Sequence, residues 1–512
     1  MPLRRGIIRV EKTHRPAARK GTHLVSRIRI DKGKGKRRRV RVGRADPSVT
    51  GNAGMAAVTE LCERLDVIGL LNAATGPIKQ RDRGFGPGQL LVGMAAAQLA
   101  GQDFLVGLDR HRADVAGQAL TPVPGLASTT AAGLARRMTE QHWRATESGL
   151  AAVTERMLAL LPAERSAALC EGQATIDMDA TDVEVYGRKK DGVAYNHQGQ
   201  RVGRPHVASW AETETVLAAD LGSGVDDPRA TAEDLLNRAL AGLPRRIRRE
   251  RVTLRADAGY FAGQLARAAH TAGIGFAIGA KRVTTMWRAL AGIAETDWRA
   301  AIDMPDAQVA VSDYAPADWP PDTRLLIRRV RLWPDQVSAD PRSRRRRTLH
   351  PDQRALPLAE LADADAIYAY SFILTSLDVS TPDQAAAVEH WYRHRTSVEN
   401  IFRDSKHGAA LRHLPSGNKQ VNTAWMWGAL LAASIAGWLH QLTAVLADDD
   451  TDIVAGHGVH GGKAMIATLR HRLIAIPARV IRHARTLTLR PEPGCRDLLD
   501  LILTRLRALP AP

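Results

Sequence analysis

The hydrophobic period of the chain changes near residue 174, and this change restricts the fold more than any other feature of the sequence. Upstream, apolar residues recur at helical spacing, whereas Ala174 to Asp179 alternate between apolar and polar side chains, as a half-buried strand does. A hairpin pattern follows, with strands at His206–Trp210 and Thr215–Asp220. Helices at 232–243 and 264–271 then alternate with strands at 251–256 and 274–278. We therefore expect an α/β fold.

Strand, hairpin, helix, strand, helix, strand is the order of a ribonuclease H-like sheet. Three further strand patterns interrupt it, at Gln308–Val311, Arg324–Leu332 and Ile367–Leu377. The predicted fold class is α/β: a ribonuclease H-like mixed sheet flanked by helices and interrupted by a β-rich insertion, with an N-terminal helical domain and C-terminal helices. The predicted segments are a disordered basic tail (1–45), a helical domain (46–165), the core sheet (166–282 and 385–445), the insertion (283–384) and a helical extension (446–512).

The helical domain begins after the tail. Helical spacing predicts helices at 55–71, 89–99 and 146–161, and a shorter one near Ser128, whose hydroxyl we expect to cap the amides of Thr130 and Ala131. Near the other end of the chain, an apolar helix spans Ala424–Leu439. A bilayer requires about 20 apolar residues, more than this helix offers, so we expect it to lie in the protein core.

Positive charge is concentrated at the start of the chain. The formal net charge is +18, and residues 1–44 hold 17 Lys and Arg against Glu11 and Asp31, so this tail carries +15 and the other 468 residues carry +3. The block from Lys34 to Arg39 suits a polyanion, because each phosphate that binds a cation releases condensed counterions. A solvated tail is the alternative, and nucleic acid is the favoured partner.

The cysteines indicate a reducing environment. Cys62, Cys170 and Cys495 are odd in number and far apart, which argues against a disulfide framework and against a cysteine-ligated zinc site. The first 44 residues contain no apolar run of the signal-peptide kind. We therefore expect a cytoplasmic protein without a membrane partner.

Two aspartates stand at predicted strand ends. Asp179 ends the first strand and Asp257 follows the fourth, and these strands are neighbours in a ribonuclease H-like sheet. Two carboxylates at adjacent strand ends offer the oxygen ligands that Mg²⁺ prefers. Acids at strand ends are more often turn formers, so the pair alone does not establish a metal site.

Four polar residues share one face of the helix predicted after the insertion. At about 100° per residue, Tyr392, Arg395, Glu399 and Lys406 fall within an arc of about 60°. This stripe places a phenol, two cations and a carboxylate along the border of the apolar face. Arg395 and Glu399, four residues apart, could instead form a solvent-exposed ion pair.

These features together resemble a known family. The spacing of Tyr392, Arg395, Glu399 and Lys406 is similar to the signature of cut-and-paste insertion-sequence transposases with an Asp-Asp-Glu site. The resemblance includes residues 177–182 and 254–260 around the two aspartates and covers roughly residues 46–512. It departs at 221–224, where the hairpin exit lacks an expected arginine.

The resemblance implies a DNA transposase that cleaves element ends and transfers a strand to target DNA. The implied catalytic residues and metal ligands are Asp179, Asp257 and Glu399, which would hold two Mg²⁺ ions, with Mn²⁺ as a substitute. The implied DNA-binding residues are Tyr392, Arg395 and Lys406. From the residues alone, Asp177 and Asp182 are rival first ligands, and Asp177 ranks second because it shares a strand face with Asp179.

The resemblance also implies partners. The first is double-stranded DNA, both the terminal inverted repeats of the element and the target. The second is another copy of the chain, in a homodimer. The implied location is the nucleoid in a bacterial cytoplasm. The helical domain would serve DNA binding or dimerisation. In relatives the insertion supports a DNA hairpin, and a tryptophan helps to hold a flipped base. Trp287 and Trp298 are candidates, although core packing is the more common role.

Two other functions share these features. A structure-selective nuclease would use the same carboxylates without joining DNA, and an inactive transposase-derived protein would only bind DNA. The presence of all three carboxylates favours an active transposase. The glycine-rich stretch 456–464 departs from a nucleotide-binding loop at His457 and Ala464, so ATP use is not predicted.

Overall fold

The structure is a computed structural model that describes residues 7–9, 29–31, 41–80, 83–332, 337–338, 347–348, 367–444 and 463–512. The chain forms two compact units, Met1–Asp46 and Pro47–Pro512. In the first unit, strands β1 (Ile7–Arg9) and β2 (Arg29–Asp31) pair antiparallel. The predicted disorder of the tail concerns residues that lie mostly outside the described ones, and so it stays a prediction.

The second unit begins with a short strand and a group of helices. In chain order these are β3 (Val49–Thr50), α1 (Met55–Arg64), α2 (Val67–Thr75), α3 (Pro87–Leu99), α4 (Gly107–Ala113), α5 (Ser128–Ala135), α6 (Glu140–Leu160) and α7 (Ala163–Glu171). The helix predicted at 55–71 is two helices, because the chain turns at Asp66, whose φ is 49°. The expected cap is also wrong: Ser128 itself donates to the Asp109 carboxylate, from Oγ at 2.5 Å and from its amide at 3.1 Å.

The central sheet has the predicted order of elements. Its strands and their connecting helices are β4 (Ala174–Ala180), β5 (Val183–Glu184), β6 (Ala194–Tyr195), β7 (Arg201–Trp210), β8 (Thr215–Ser223), α8 (Pro228–Gly242), β9 (Val252–Ala256), α9 (Gly263–Thr271) and β10 (Gly275–Gly279). β4, β9 and β10 are parallel neighbours, and the hairpin β7–β8 joins β4 antiparallel. The mixed sheet flanked by helices is confirmed, and the term ribonuclease H-like stays an interpretation of this order.

The predicted insertion extends the same sheet. It comprises α10 (Thr284–Ala291), β11 (Arg299–Ala300), β12 (Ala307–Ser312), β13 (Arg324–Leu332), the small parallel pair β14 (Val337–Ser338) and β15 (Arg347–Thr348), and β16 (Ile367–Thr375). β16 pairs antiparallel with β10 on one side and with β13 on the other. The strand order is therefore β11-β12-β13-β16-β10-β9-β4-β7-β5, with β6 and β8 also on β7.

The last part of the chain closes the core. Its elements are α11 (Pro382–Arg393), α12 (Thr396–Arg403), a π-helical turn (Asp404–Gly408), α13 (Lys419–Ala444), α14 (Ile466–Leu469), β17 (Ala478–His483), β18 (Thr486–Pro491) and α15 (Arg496–Ala508). The predicted helical extension thus also contains a hairpin, β17–β18, which pairs with β3 near the start of the unit.

Helix α13 lies in the core, as expected. Its side chains Trp425, Trp427 and Trp438 are at most 1% exposed, and replacement of one such buried tryptophan by alanine typically costs about 3–5 kcal/mol. The helix contacts α3 on one side and β8 on the other, so it joins the helical region to the sheet. No helix in the described part of the chain has both the length and the hydropathy needed to cross a bilayer.

Candidate active site

The two predicted aspartates lie at the ends of neighbouring strands. Met178 and Ala256 form the last residue pair between the parallel strands β4 and β9, and Asp179 and Asp257 each follow one residue later. The Asp257 carboxylate accepts the amide of Gly259 at 2.8 Å, which fixes the turn after β9. The strand pattern therefore located both carboxylates correctly relative to each other.

The predicted helix through Tyr392, Arg395, Glu399 and Lys406 is not continuous. Helix α11 ends at Arg393, a two-residue turn follows, α12 begins at Thr396, and residues from Asp404 form the π-helical turn. The expected 60° arc is therefore wrong, because it assumed 100° per residue across a break. The local sequence contains no proline or glycine that would announce this break.

Tyr392 and Arg395 nevertheless contact the strand ends, and Glu399 faces a cleft beside them. The Tyr392 hydroxyl donates to the Ala256 carbonyl at 2.9 Å, and Arg395 Nη2 lies 3.1 Å from Asp179 Oδ2. Glu399 is exposed and faces a cleft of about 610 Å³. Five cations line this cleft together with Tyr392 and Glu399, namely Lys281, Arg282, Arg328, Arg393 and Arg395.

Lys406 has a different position. Its Nζ donates to Thr181 Oγ1 at 2.6 Å and to the Asp182 carbonyl at 2.8 Å, so it holds the segment after β4. Burial lowers the pKa of this amine, although the Asp182 and Asp179 carboxylates oppose the shift. Lys406 does not line the cleft that Arg395 and Glu399 share.

The electrostatics connect the three predicted carboxylates. The pKa of Asp179 is raised to about 6, chiefly by burial and also by the negative charges of Asp257 and Glu399, while Arg395 opposes the shift. Burial also raises the pKa of the Tyr260 hydroxyl, with a further contribution from Asp179 and Asp257. The charges of Asp257 and Glu399 are therefore close enough to disfavour ionisation of Asp179.

The rival first ligands are both engaged elsewhere. Asp177 is fully buried, and its oxygens accept Arg255 Nε at 2.6 Å and Nη2 at 2.9 Å. Asp182 accepts Arg204 Nε at 2.6 Å and Asn196 Nδ2 at 2.8 Å. Of the three aspartates in residues 177–182, Asp179 is the one whose carboxylate pairs with Arg395 at the edge of the cleft.

The chemistry of the donor set fits a divalent cation. Asp179, Asp257 and Glu399 offer carboxylate oxygens only, which suits Mg²⁺ better than a soft metal. Within the described residues, however, no three His, Cys, Asp or Glu side chains come close enough to hold one ion. Arg395 Nη2 lies 3.1 Å from Asp179 Oδ2, so this carboxylate faces a positively charged guanidinium.

Both candidate tryptophans pack within the protein. Trp298 is 5% exposed, and the Arg329 guanidinium lies 4.2 Å from its ring centroid. Trp287 makes edge-on contacts with Tyr370 and Phe372, at 5.7 and 5.3 Å between centroids. These contacts favour the packing role. The residues of the glycine-rich stretch before Lys463 lie outside the described ones.

Comparison with known proteins decides the family. A family model described as "Transposase DDE domain group 1" matches residues 32–338 and 359–511, which is most of the chain. The chain belongs to this DDE transposase family. A DDE transposase is an enzyme that acts on DNA, and members of the family generally use divalent metal ions.

Other comparisons add less. One similar solved structure is a cryo-EM structure of the piggyBac transposase synaptic complex with hairpin DNA, at 11% sequence identity and a TM-score of 0.35, with 88% of this chain and 84% of that chain covered. No curated protein matches the sequence.

The sequence patterns did not predict several residues that line the cleft. Lys281, Arg282, Arg328 and Arg393 line the cleft but belong to no motif, and three different elements or loops contribute them. A weak signal existed for Lys281 and Arg282, which lie two and three residues after the end of β10, the parallel neighbour of β9. Arg328 and Arg393 had none, since only the pairing of β13 with β16 and the packing of α11 bring them to the cleft.

Proposed function

We propose that this transposase cleaves DNA at the ends of an insertion sequence and joins the freed 3′ hydroxyl to target DNA. The observation that carries the proposal is the adjacency of Asp179 and Asp257 at neighbouring strand ends, beside a cleft that Glu399 faces and five cations line. The three carboxylates would hold two divalent ions, Mg²⁺ or its substitute Mn²⁺. When bound, such ions polarise the scissile phosphate and stabilise the leaving oxygen.

The residues of the chain would bind and orient the DNA. Arg395 presents a guanidinium fork that suits a phosphate, and Arg282 and Lys281 add positive charge to the same cleft. Because Arg395 contacts Asp179 in this structure, it would exchange that carboxylate for a phosphate when DNA and metal enter. Tyr392 would keep its hydrogen bond to Ala256 and hold α11 against β9.

The assignment of Glu399 is testable by amide substitution. We expect Glu399→Gln to bind end DNA with wild-type affinity and to lose cleavage of supercoiled donor DNA with Mg²⁺ by more than about 100-fold. Mutation of a residue that only supports a metal ligand typically lowers activity about 10–100-fold, so loss of a ligand itself should cost more. Asp179→Asn should behave in the same way.

Asp182→Asn is the matched control, since Asp182 is a rival ligand whose carboxylate pairs with Arg204. It should retain cleavage within a few-fold. Wild-type cleavage by Glu399→Gln would show that the carboxylate assignment is wrong. A second measurement in the same reaction is the formation of a covalent product between the cleaved 3′ end and target DNA. A transposase forms this product, whereas a nuclease cuts without joining. The homodimer and the bacterial nucleoid location stay predictions of the resemblance.

A further inference from the structure

A buried ion pair lies beneath the break between α11 and α12. Asp177 of β4 and Arg255 of β9 are directly paired across the two strands, and two hydrogen bonds of 2.6 and 2.9 Å join their side chains. Their side chains are 0% and 4% exposed. Neither lines the cleft, and the function proposed above uses neither. Such a pair is costly to desolvate unless its remaining groups are also hydrogen-bonded.

The remaining groups of this pair are bonded to both sides of the break. Arg255 Nη1 donates to the carbonyl of Trp391, in the last turn of α11, and its guanidinium lies 4.9 Å from the Trp391 ring centroid. Asp177 accepts a hydrogen bond from the hydroxyl of Ser397, in the first turn of α12. The pair therefore contacts the helices on both sides of the break. Its two strands are the ones that lead to the predicted metal ligands, since β4 contains Asp179 and β9 ends one residue before Asp257.

The orientation of the pair matches the two helix ends. The carboxyl end of a helix carries partial negative charge, and at α11 it meets the Arg255 cation. The amino end of a helix carries partial positive charge, and in the first turn of α12 the Ser397 hydroxyl meets the Asp177 anion. In a continuous helix the Trp391 carbonyl would accept the amide of Arg395, whereas here it accepts His394 N at 3.2 Å and Arg255.

We propose that Asp177 and Arg255 are positioning residues that hold this break and thereby direct Arg395 to Asp179 and Glu399 into the cleft. Because the break contains no proline or glycine, tertiary contacts must stabilise it, and the ion pair supplies them at both helix ends. The inference rests on the proposed function for the identity of the site. It adds a role for two buried residues that do not line the cleft.

The test compares two buried ion pairs. In the double variant Asp177→Asn/Arg255→Gln both charges are removed together, so no uncompensated charge stays buried. The matched control is Glu147→Gln/Arg238→Gln, which neutralises a 2.5 Å pair between α6 and α8, with side chains 6% and 12% exposed, and which also removes the cation that Asp220 and Asp234 share. Both variants would be measured below their unfolding temperatures, with hydrogen exchange in metal-free protein and cleavage at saturating Mg²⁺ and end DNA.

We expect the Asp177/Arg255 variant to exchange amides of residues 394–403 at least about tenfold faster than wild type and to cleave about 10–100-fold more slowly. The Glu147/Arg238 control should show neither change, although its melting temperature falls. Equal exchange in residues 394–403 for wild type and variant, or equal losses of cleavage in variant and control, would overturn the proposal.

A milder substitution covers the case in which the double variant does not fold. Ser397→Ala removes the hydrogen bond to Asp177, and Ser397→Thr keeps a hydroxyl at the same position. We expect the alanine variant to show faster exchange and a lower cleavage rate with unchanged end-DNA affinity, and the threonine variant to restore both. Wild-type behaviour of Ser397→Ala would contradict the proposal. Failure of the proposed function would appear separately, as wild-type cleavage by Glu399→Gln.

Discussion

Burial of the Asp404 side chain makes the stability of the protein depend on pH. Asp404 Oδ1 accepts the amide of Ile466 at 2.6 Å, and the residue is 1% exposed. Burial raises its pKa to about 6, with partial opposition from Lys463. The usual pKa of an aspartate is about 3.9. The folded state therefore binds this proton more tightly than the unfolded state, so the stabilisation is complete below about pH 4 and is lost as the pH rises through 6.

We predict that Asp404→Asn removes this dependence. A carboxyl with a folded pKa of about 6 contributes about 1.4 kcal/mol more stability at pH 5 than at pH 8. The asparagine keeps an oxygen for the Ile466 amide and does not titrate. We therefore expect the free energy of unfolding in urea, measured for the variant minus wild type, to be larger at pH 8 than at pH 5. A constant difference between the two proteins would refute the prediction.

At the scale of single residues, strand-end logic located Asp179 and Asp257 but could not separate Asp179 from Asp177. Both lie on one strand, and alternation puts them on one face. The environment distinguishes them: Asp177 faces Arg255 and Ser397 in the interior, whereas Asp179 faces Arg395 at the edge of the cleft. A local sequence pattern cannot show this difference, because the residues that produce it lie at least 78 positions further along the chain.

At the scale of elements, the helix boundary at Asp66 has a specific backbone requirement. Asp66 has a φ of 49°, in the left-handed region that aspartate tolerates and β-branched residues do not. We predict that Asp66→Gly keeps the free energy of unfolding within about 1 kcal/mol of wild type, because glycine adopts this conformation without strain.

Asp66→Val, by contrast, should lose about 1–3 kcal/mol, since a β-branched side chain is strained at this φ. Chemical denaturation of both variants measures the difference. Equal stabilities would mean that the turn between α1 and α2 can relax to a different backbone conformation.

Two of the predicted helices, 55–71 and the one that holds Tyr392 to Lys406, are broken in the structure without proline or glycine at the break. In each, apolar residues continue at helical spacing on either side, so periodicity alone does not detect an interruption of two residues. The break at 394–395 matters more, because it lies between Tyr392 and Glu399 and sets the direction of Arg395.

At the scale of the whole molecule, most of the net charge lies outside the region that holds the candidate site. Residues 1–44 carry +15 of the total +18. We predict that deletion of these residues weakens general DNA affinity and reduces its salt dependence, by about 0.9 in the log–log slope for each phosphate that the tail neutralises. Cleavage of a short end duplex at saturating DNA should stay at the wild-type rate.

Filter binding at several salt concentrations and single-turnover cleavage would measure the two effects separately. An unchanged salt slope would show that the tail does not bind DNA. Complete loss of cleavage at saturating DNA would show that the tail takes part in chemistry, and that the cations of the cleft are not sufficient to place the scissile phosphate.

The order of elements in the central sheet, its mixed character and the two strand-end aspartates were all predictable from the sequence, because the hydrophobic period is a local property of the chain. The tertiary structure decided that the predicted insertion continues the sheet through β16 and β10, and that Lys406 holds the segment after β4. It also decided that Arg395 meets Asp179 across a broken helix. These outcomes depend on contacts between residues far apart in sequence, whose partners only the packed fold selects.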